Sequence, residues 1–360
     1  MQEFYCKTKI ISGDGALDWL DKQRCERLLL VTDPYFQQNG LAQRLSQRVQ
    51  ANQREIFSKV KPDPTVELAA EGTARMRQLQ PDLLIALGGG SAIDTAKAMC
   101  HFAQERVKFV AIPTTSGSGS EVTNFSVLTH GEVKYPLIHP RLQPDVAIID
   151  GELVQTLPPK LVAEGGFDVL SHALEAVAAT KANAISRALA EDAFCTAFAQ
   201  LPASYKADTR VRGTVHLAST MAGVAFSQAG LGICHALSHA LGGAFHLPHG
   251  MLNAILLPEV VAFNASIAAA AYGNLARRAG IGAVSDTMAV RNLRNALLRL
   301  RKELHLPASL QEAGVSRQKL RESMEKILEA AMKDPCLETN PVKPEACHLR
   351  GILEAVAGRG

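Results

Sequence analysis

DLLIALGGGSAIDTAK (82–97) decides the fold: an apolar run of strand length, three glycines, then a helical segment opened by Ser91 and carrying Asp94 and Lys97. A continuous apolar run bounded by turn residues suits a parallel strand covered on both faces. The same grammar extends in both directions. RLLLVTD (27–33) reads as a strand followed by a helix near 40–52, and REIFSKV (54–60) as a strand followed by a helix near 65–79. The helix opened by Ser91 runs to about Ala103, and FVAIPTT (109–115) and VAIID (146–150) add two further strands. Strands alternating with helices predict a Rossmann-like α/β dinucleotide-binding domain over residues 1–152. From about Glu152 strand-like runs vanish. Ala/Leu-rich helical patterns over 183–200, 211–226, 253–276 and 287–304 predict an all-helical domain over 153–360.

Bulk properties narrow the function classes. The 360 residues are 47% hydrophobic and 20% charged with a net charge of +3, so there is ample apolar material for two cores and no basic surplus to hold nucleic acid. The basic run Arg299–Lys302 reads as one solvated helix face. The N-terminal MQEFYCKTKII lacks the apolar core of a signal peptide, and no stretch reaches the roughly 18 consecutive apolar residues of a membrane span. A cytoplasmic protein with no membrane partner is expected. Seven widely spaced cysteines without a CxxC pair predict reduced, mostly buried thiols rather than disulfides or a thiolate metal site.

Gly88, Gly89 and Gly90 sit between strand and helix, where backbone N–H groups and the helix dipole favour an anion such as a pyrophosphate. A tight strand-to-helix turn with Ser91 as its cap is the plainer reading. PTTSGSGSEVT (113–123) weighs against it by placing a second loop of hydroxyls and glycines after the next strand, where ligands bind open α/β sheets. Neither loop matches GxGxxG. Asp33 closes the first strand, where a carboxylate accepts hydrogen bonds from an adenosine ribose and repels a 2′-phosphate. It also reads as a turn aspartate before Pro34.

GGFDVLSHALEA (165–176) is helical in pattern, and the four-residue spacing of Asp168 and His172 puts both side chains on one face. GICHALSHALGGAFHLPHG (232–250) places His235 and His239 one turn apart, with His246 and His249 in the loop beyond. One aspartate with several histidines and no cysteine is an N/O donor set suited to divalent iron, zinc or manganese. Periodicity leaves open which histidines bind.

GGGSAIDTAK, PTTSGSGSEVT, GFDVLSHALEA and CHALSHALGGAFHLPHGMLNAILLP, in this order, resemble the signatures of iron-containing (group III) alcohol dehydrogenases. KYPLIHPRLQPDVAIID and DPCLETNP are similar in detail to the propanol and ethanol dehydrogenases of bacterial propanediol and ethanolamine utilisation. The resemblance implies the dehydroquinate synthase-like architecture of that family, with Asp168, His172, His235 and His249 binding Fe²⁺ or, in some members, Zn²⁺. It implies that His239 stays unliganded beside the ion, and a free imidazole at such a place is expected to help relay a proton. For NAD it implies the pyrophosphate loop Gly88–Ser91 with Asp94, the lining residues Thr114, Thr115 and Ser118, the selecting acid Asp33, and Lys134 near the cofactor. Ser118 departs from the family's usual threonine but keeps the hydroxyl. Gly165 and Phe167 depart beside the first ligand, where they narrow the alcohol pocket.

The expected reaction interconverts a short primary alcohol and its aldehyde, 1-propanol and propionaldehyde or ethanol and acetaldehyde, regenerating NAD from NADH. The resemblance further implies a homodimer or larger homo-oligomer, and a place inside a bacterial microcompartment among shell proteins. A glycerol- or polyol-type dehydrogenase of the same fold and a non-catalytic shell-associated homologue are the alternatives. The filled set of four ligand positions disfavours both.

Overall fold

The computed structural model describes residues 3–104, 106–131 and 133–358, the side chains of Val133 and Lys134 excepted. The chain divides into two compact units, Tyr5–Thr156 and Leu157 to the C-terminus, and the N-terminal residues through Phe4 group with the second. Asn183 Nδ2 donates to Glu3 O at 3.3 Å within that second unit, which explains why the chain start does not group with the sheet as expected.

The first unit is a six-stranded sheet. Its elements are β1 (Lys9–Ser12), β2 (Arg24–Val31), α1 (Pro34–Gln38), α2 (Leu41–Arg48), β3 (Gln50–Phe57), α3 (Val66–Leu79), β4 (Leu83–Gly88), α4 (Gly90–Ala103) and β5 (Lys108–Pro113). A separate antiparallel hairpin, β6 (Phe125–His130) with β7 (Val133–Ile138), precedes β8 (Val146–Ile149). The order β1-β8-β5-β4-β2-β3 is parallel throughout. Alternate side chains of the central strands feed two cores. Leu29, Val31, Leu84, Ala86, Phe109 and Ala111 meet Met76 of α3 and Ile93 and Met99 of α4. Leu28, Leu30, Leu83, Ile85, Val110 and Ile112 meet Leu17, Leu20 and Leu45 on the other face. Each such Leu, Ile, Val, Phe or Met side chain contributes roughly 1.5–3 kcal/mol of transfer free energy, so the apolar runs are held inside the sheet from both sides.

Three sequence readings need adjustment. β3 begins at Gln50 rather than near 54, because this edge strand exposes its polar half and lacks an apolar run. β1 and the β6–β7 hairpin, which turns at Gly131 with φ +60°, were not anticipated. The basic run is not wholly solvated, since Arg301 is buried and its Nη1 donates to Ala254 O at 3.4 Å.

The second unit is helical: α5 (Pro159–Ala178), α6 (Ala184–Tyr205), α7 (Thr209–Ala229), α8 (Ile233–Phe245), α9 (His249–Arg278), α10 (Asp286–Glu303), α11 (Arg317–Met332) and α12 (Ala346–Val356). α5 is central, packing against α6, α7 and α9, and everything from Phe167 to Val177 on it is buried. α9 has the length and composition of a membrane span, with a mean hydropathy of 1.7 over 18 residues. Half of that window is buried, and α9 lies against α5, α8 and α10. The seven cysteines are free. Only Cys100 and Cys234 are buried and Cys347 is exposed, so the expectation of mostly buried thiols does not hold.

Candidate active site

Three helices converge on one carboxylate oxygen. Asp168 and His172 leave the same face of α5, one turn apart. α8 then brings in His235, and α9, started by Pro248 as its N-cap, opens on His249. Around Asp168 Oδ1 lie His249 Nε2 at 3.4 Å, His235 Nε2 at 3.7 Å and His172 Nδ1 at 3.8 Å. These separations exceed hydrogen-bond lengths. They match the roughly 3–4 Å between donor atoms that share one ion through bonds of about 2.1 Å. Asn253 Nδ2 donates to the same oxygen at 2.8 Å.

Ring packing fixes the imidazoles. Phe226 stacks on His172 with centroids 4.2 Å apart, and His172 stacks on His235 at 4.5 Å. His239 and His249 form a second stack at 5.3 Å. Gly250 makes the approach of α9 feasible, because a Cβ there would run into the backbone carbonyl of Glu164 one turn before Asp168 on α5. Burial disfavours charge on Asp168, yet His172, His249 and His235 hold its carboxyl well below the usual range. Burial also opposes charge on His235, but Glu175 and Asp168 prevail and push it up to about 9, whereas burial drives His249 well down.

The donor atoms of Asp168, His172 and His235 all lie within 4.8 Å of one another, close enough to share a divalent ion, and His249 approaches the same Asp168 oxygen. His235 Nε2 is buried and has no hydrogen-bond partner among the described residues, which is unfavourable unless a ligand satisfies it. One carboxylate and three imidazoles with no thiolate suit iron or zinc.

His239 stands apart from this donor set. Its Nδ1 lies 2.8 Å from Asp334 Oδ2, and Asp334 also caps the 3₁₀ turn Pro335–Thr339 by accepting from Cys336 N at 2.8 Å. Burial works against the Asp334 carboxylate, but the bonds from His239 and Cys336 bring it down to about 2. His246 ends α8 in the left-handed conformation (φ 53°) and does not join the Asp168 donor cluster. Asp334, Asn253 and Glu175, which lies beside His235, were missed in the sequence. Only Glu175 had a signal, since it falls on the same α5 face as Asp168 and His172.

In the sheet unit the two loops touch. β4 and β5 are neighbours with Gly88 opposite Pro113, and Thr114 N donates to Gly88 O at 3.1 Å. A Cβ on Gly89 would lie 3.0 Å from Thr115 Oγ1, and one on Gly90 would lie 3.1 Å from Ser118 Oγ. Gly88 needs its freedom at φ +149°. Gly89, not Ser91, caps α4, and no side chain serves as cap, so the helix start suits an anion. Ser91 is the second helical residue and half-buried. Asp33 takes the turn-and-cap role that its place before Pro34 suggested. Its Oδ1 caps α1 by accepting from Phe36 N at 3.1 Å, while Oδ2 faces Gly88, 3.8 Å from where a Cβ would stand.

Asp94 departs from its expected place at the cofactor. Oδ1 accepts from Ser120 Oγ at 2.6 Å and Oδ2 from Val127 N at 3.0 Å, so both oxygens are spent on tying α4 to the second loop and to β6. Lys97 completes the tie, donating to Ser120 Oγ, Thr123 Oγ1 and Phe125 O at 2.8–2.9 Å. Burial lowers its ammonium to about 8 against the attraction of Asp94 and Glu121. The side chain of Lys134 lies outside the described residues.

The family model for iron-containing alcohol dehydrogenase matches residues 7–151, and that for the C-terminal part of the Fe-containing alcohol dehydrogenase family matches residues 162–357. The chain belongs to the iron-containing alcohol dehydrogenase family. This enzyme is 41% identical to the 1-propanol dehydrogenase PduQ of Citrobacter freundii, over 98% of its own length and 99% of the relative's. It is 36% identical to an NADPH-dependent butanol dehydrogenase of Clostridium saccharobutylicum, over 99% and 98%. The structure of an iron-containing alcohol dehydrogenase from Thermococcus thioreducens aligns with a TM-score of 0.90 at 32% identity, over 98% and 99% of the two chains. The dehydrogenase thus has the family's parallel α/β unit and its all-helical unit.

Proposed function

We propose that the enzyme is an NAD-dependent dehydrogenase interconverting short primary alcohols and aldehydes, with 1-propanol and propionaldehyde or ethanol and acetaldehyde as its pair. The observation that carries this reading is the convergence of His172, His235 and His249 on Asp168 Oδ1, with His235 Nε2 unsatisfied. Asp168, His172, His235 and His249 hold Fe²⁺, or Zn²⁺ in its place. A divalent ion there supplies Lewis acidity that lowers the pKa of an alcohol hydroxyl and polarises an aldehyde carbonyl.

The chain's own residues do the rest. Asp168 provides the one negative charge among the four donors, and the stacked rings keep the imidazoles in place. Asp334 fixes the proton of His239 on Nδ1, leaving Nε2 to take a proton during alcohol oxidation and return it during aldehyde reduction. Gly88, Gly89, Gly90 and Ser91 receive the pyrophosphate, and Thr114, Thr115 and Ser118 line the cofactor. Asp33 accepts from the adenosine ribose and repels a 2′-phosphate, which favours NAD even though the butanol dehydrogenase relative is described as NADPH-dependent. A homo-oligomer enclosed in a bacterial microcompartment belongs to the same proposal and rests on the likeness to the propanediol-utilisation branch.

The test is anaerobic NADH oxidation with propionaldehyde, on protein loaded with Fe²⁺ or Zn²⁺ and on a chelator-treated control. Turnover that requires the metal and drops with NADPH supports the proposal. Loaded protein that turns over no short aldehyde but oxidises glycerol redirects it to polyols, and absence of any turnover overturns catalysis.

A further inference from the structure

The N-terminus of α8 is held by a residue that is not on α8. Its N-cap, Gly232, has no side chain to offer. Instead the carboxylate of Glu175, on α5, accepts Gly232 N at 3.0 Å on Oε2 and Cys234 N at 2.6 Å on Oε1. Ile233 N, between them, goes to Asn340 Oδ1 at 3.2 Å. The carboxylate is almost fully buried and also meets His235 Nδ1, 2.6 Å from Oε2. Gly232 has to be glycine for this arrangement, because a Cβ would run into Asn340 Oδ1 and lie 3.0 Å from Glu175 Oε1.

We infer that Glu175 is a positioning residue for the metal centre: it fixes His235 as the tautomer protonated on Nδ1, so that the Nε2 lone pair faces Asp168. This rests on the metal-binding reading given above. A carboxylate has no proton to give, so the hydrogen between Glu175 and His235 belongs to the imidazole. In the neutral ring that would bind an ion Nε2 is then the bare atom, and it is the buried atom without a hydrogen-bond partner, 3.7 Å from Asp168 Oδ1. A carboxylate behind a ligating histidine holds the ring and raises its donor strength, typically by 10–100-fold in metal affinity. Asn340 serves as a built-in comparison, since it anchors the same first turn of α8 without touching the His235 ring. Gln at position 175 keeps the shape but has one acceptor oxygen for donors now shared by two, and presents an N–H to the rest.

Co²⁺ is the probe, read by chelator competition and by its visible absorption bands, on the full chain and alongside melting of the metal-free protein. Glu175→Gln is expected to weaken Co²⁺ binding by about 10–100-fold and to shift the bands. Asn340→Ala is expected to lower the melting temperature while leaving Co²⁺ affinity and bands as in wild type. Wild-type affinity in Glu175→Gln overturns the inference, as does an equal loss of affinity in both variants, which would reduce Glu175 to an anchor of α8. Where Glu175→Gln does not fold, ¹⁵N-histidine NMR of the Zn²⁺-loaded wild-type protein decides instead: a proton on Nδ1 of His235 supports the inference and one on Nε2 overturns it. Wild-type protein that takes up no Co²⁺ sinks the metal reading itself. The His235 tautomer in the metal-free protein at alkaline pH then judges the role of Glu175 separately.

Discussion

The Nδ1 of His239 and the Oδ2 of Asp334 lie 2.8 Å apart, joining α8 to a residue 95 positions further along the chain. Asp334 stays ionised in its buried place because His239 and Cys336 bond to it. His239→Ala is therefore expected to lower turnover by about 100-fold or more. Asp334→Asn should act in the same direction by releasing the ring. Metal content by atomic absorption stays near wild type in both, and parallel loss of metal and turnover would contradict a relay role.

Asp168 is the single anion among the four candidate ligands, so its removal leaves only neutral imidazoles to face a dication in a buried site. Asp168→Ala is expected to abolish stoichiometric metal binding, whereas His246→Ala, outside the cluster, leaves it intact. Metal analysis of the two purified variants checks the pair.

Gly250 sets how closely α9 approaches α5. A methyl group there meets the carbonyl of Glu164 and pushes the start of α9, with His249, away from Asp168. Gly250→Ala should destabilise the protein by about 1–3 kcal/mol and weaken metal binding. Urea unfolding together with Co²⁺ titration tests this.

Asp33 caps α1 with one oxygen and leaves the other facing the glycine loop. Asp33→Asn preserves the cap and removes the charge. The ratio of kcat/KM for NADH over NADPH should fall by about 10-fold or more. An unchanged ratio would leave Asp33 as a cap only.

Lys97 predicts a pH effect. Its ammonium titrates at about 8 in the folded protein against 10.5 in the free side chain, because it is buried. Between these values the unfolded chain binds more protons than the folded one, so stability rises with pH through this window. The contribution is most favourable above 10.5 and is lost as pH falls through about 8. Urea midpoints at pH 7.5 and 10 should diverge less in Lys97→Met than in wild type.

The architecture was legible wherever burial left a local signature. β2, β4, β5 and β8 are apolar runs because both faces are covered, and Asp168 with His172 announced their shared face by spacing alone. β3 and β1 were blurred or missed because edge strands expose polar side chains, and β6–β7 because it forms a small hairpin outside the main sheet. Asp94 looked like a ligand because it follows the glycines, but its partners Ser120 and Val127 lie 26 and 33 residues away. Asp334 and Asn253 escaped for the same reason, since a contact across 85 or 95 residues leaves no periodicity to read.

The way the units are threaded has a consequence for biosynthesis. The sheet unit runs unbroken from Tyr5 to Thr156, so on a ribosome it is complete while α5 is still being made. The candidate ion cluster draws on Asp168 and His249, both beyond the end of that unit. The nascent chain can thus complete its sheet unit well before the last of the candidate ligands, His249, has been added.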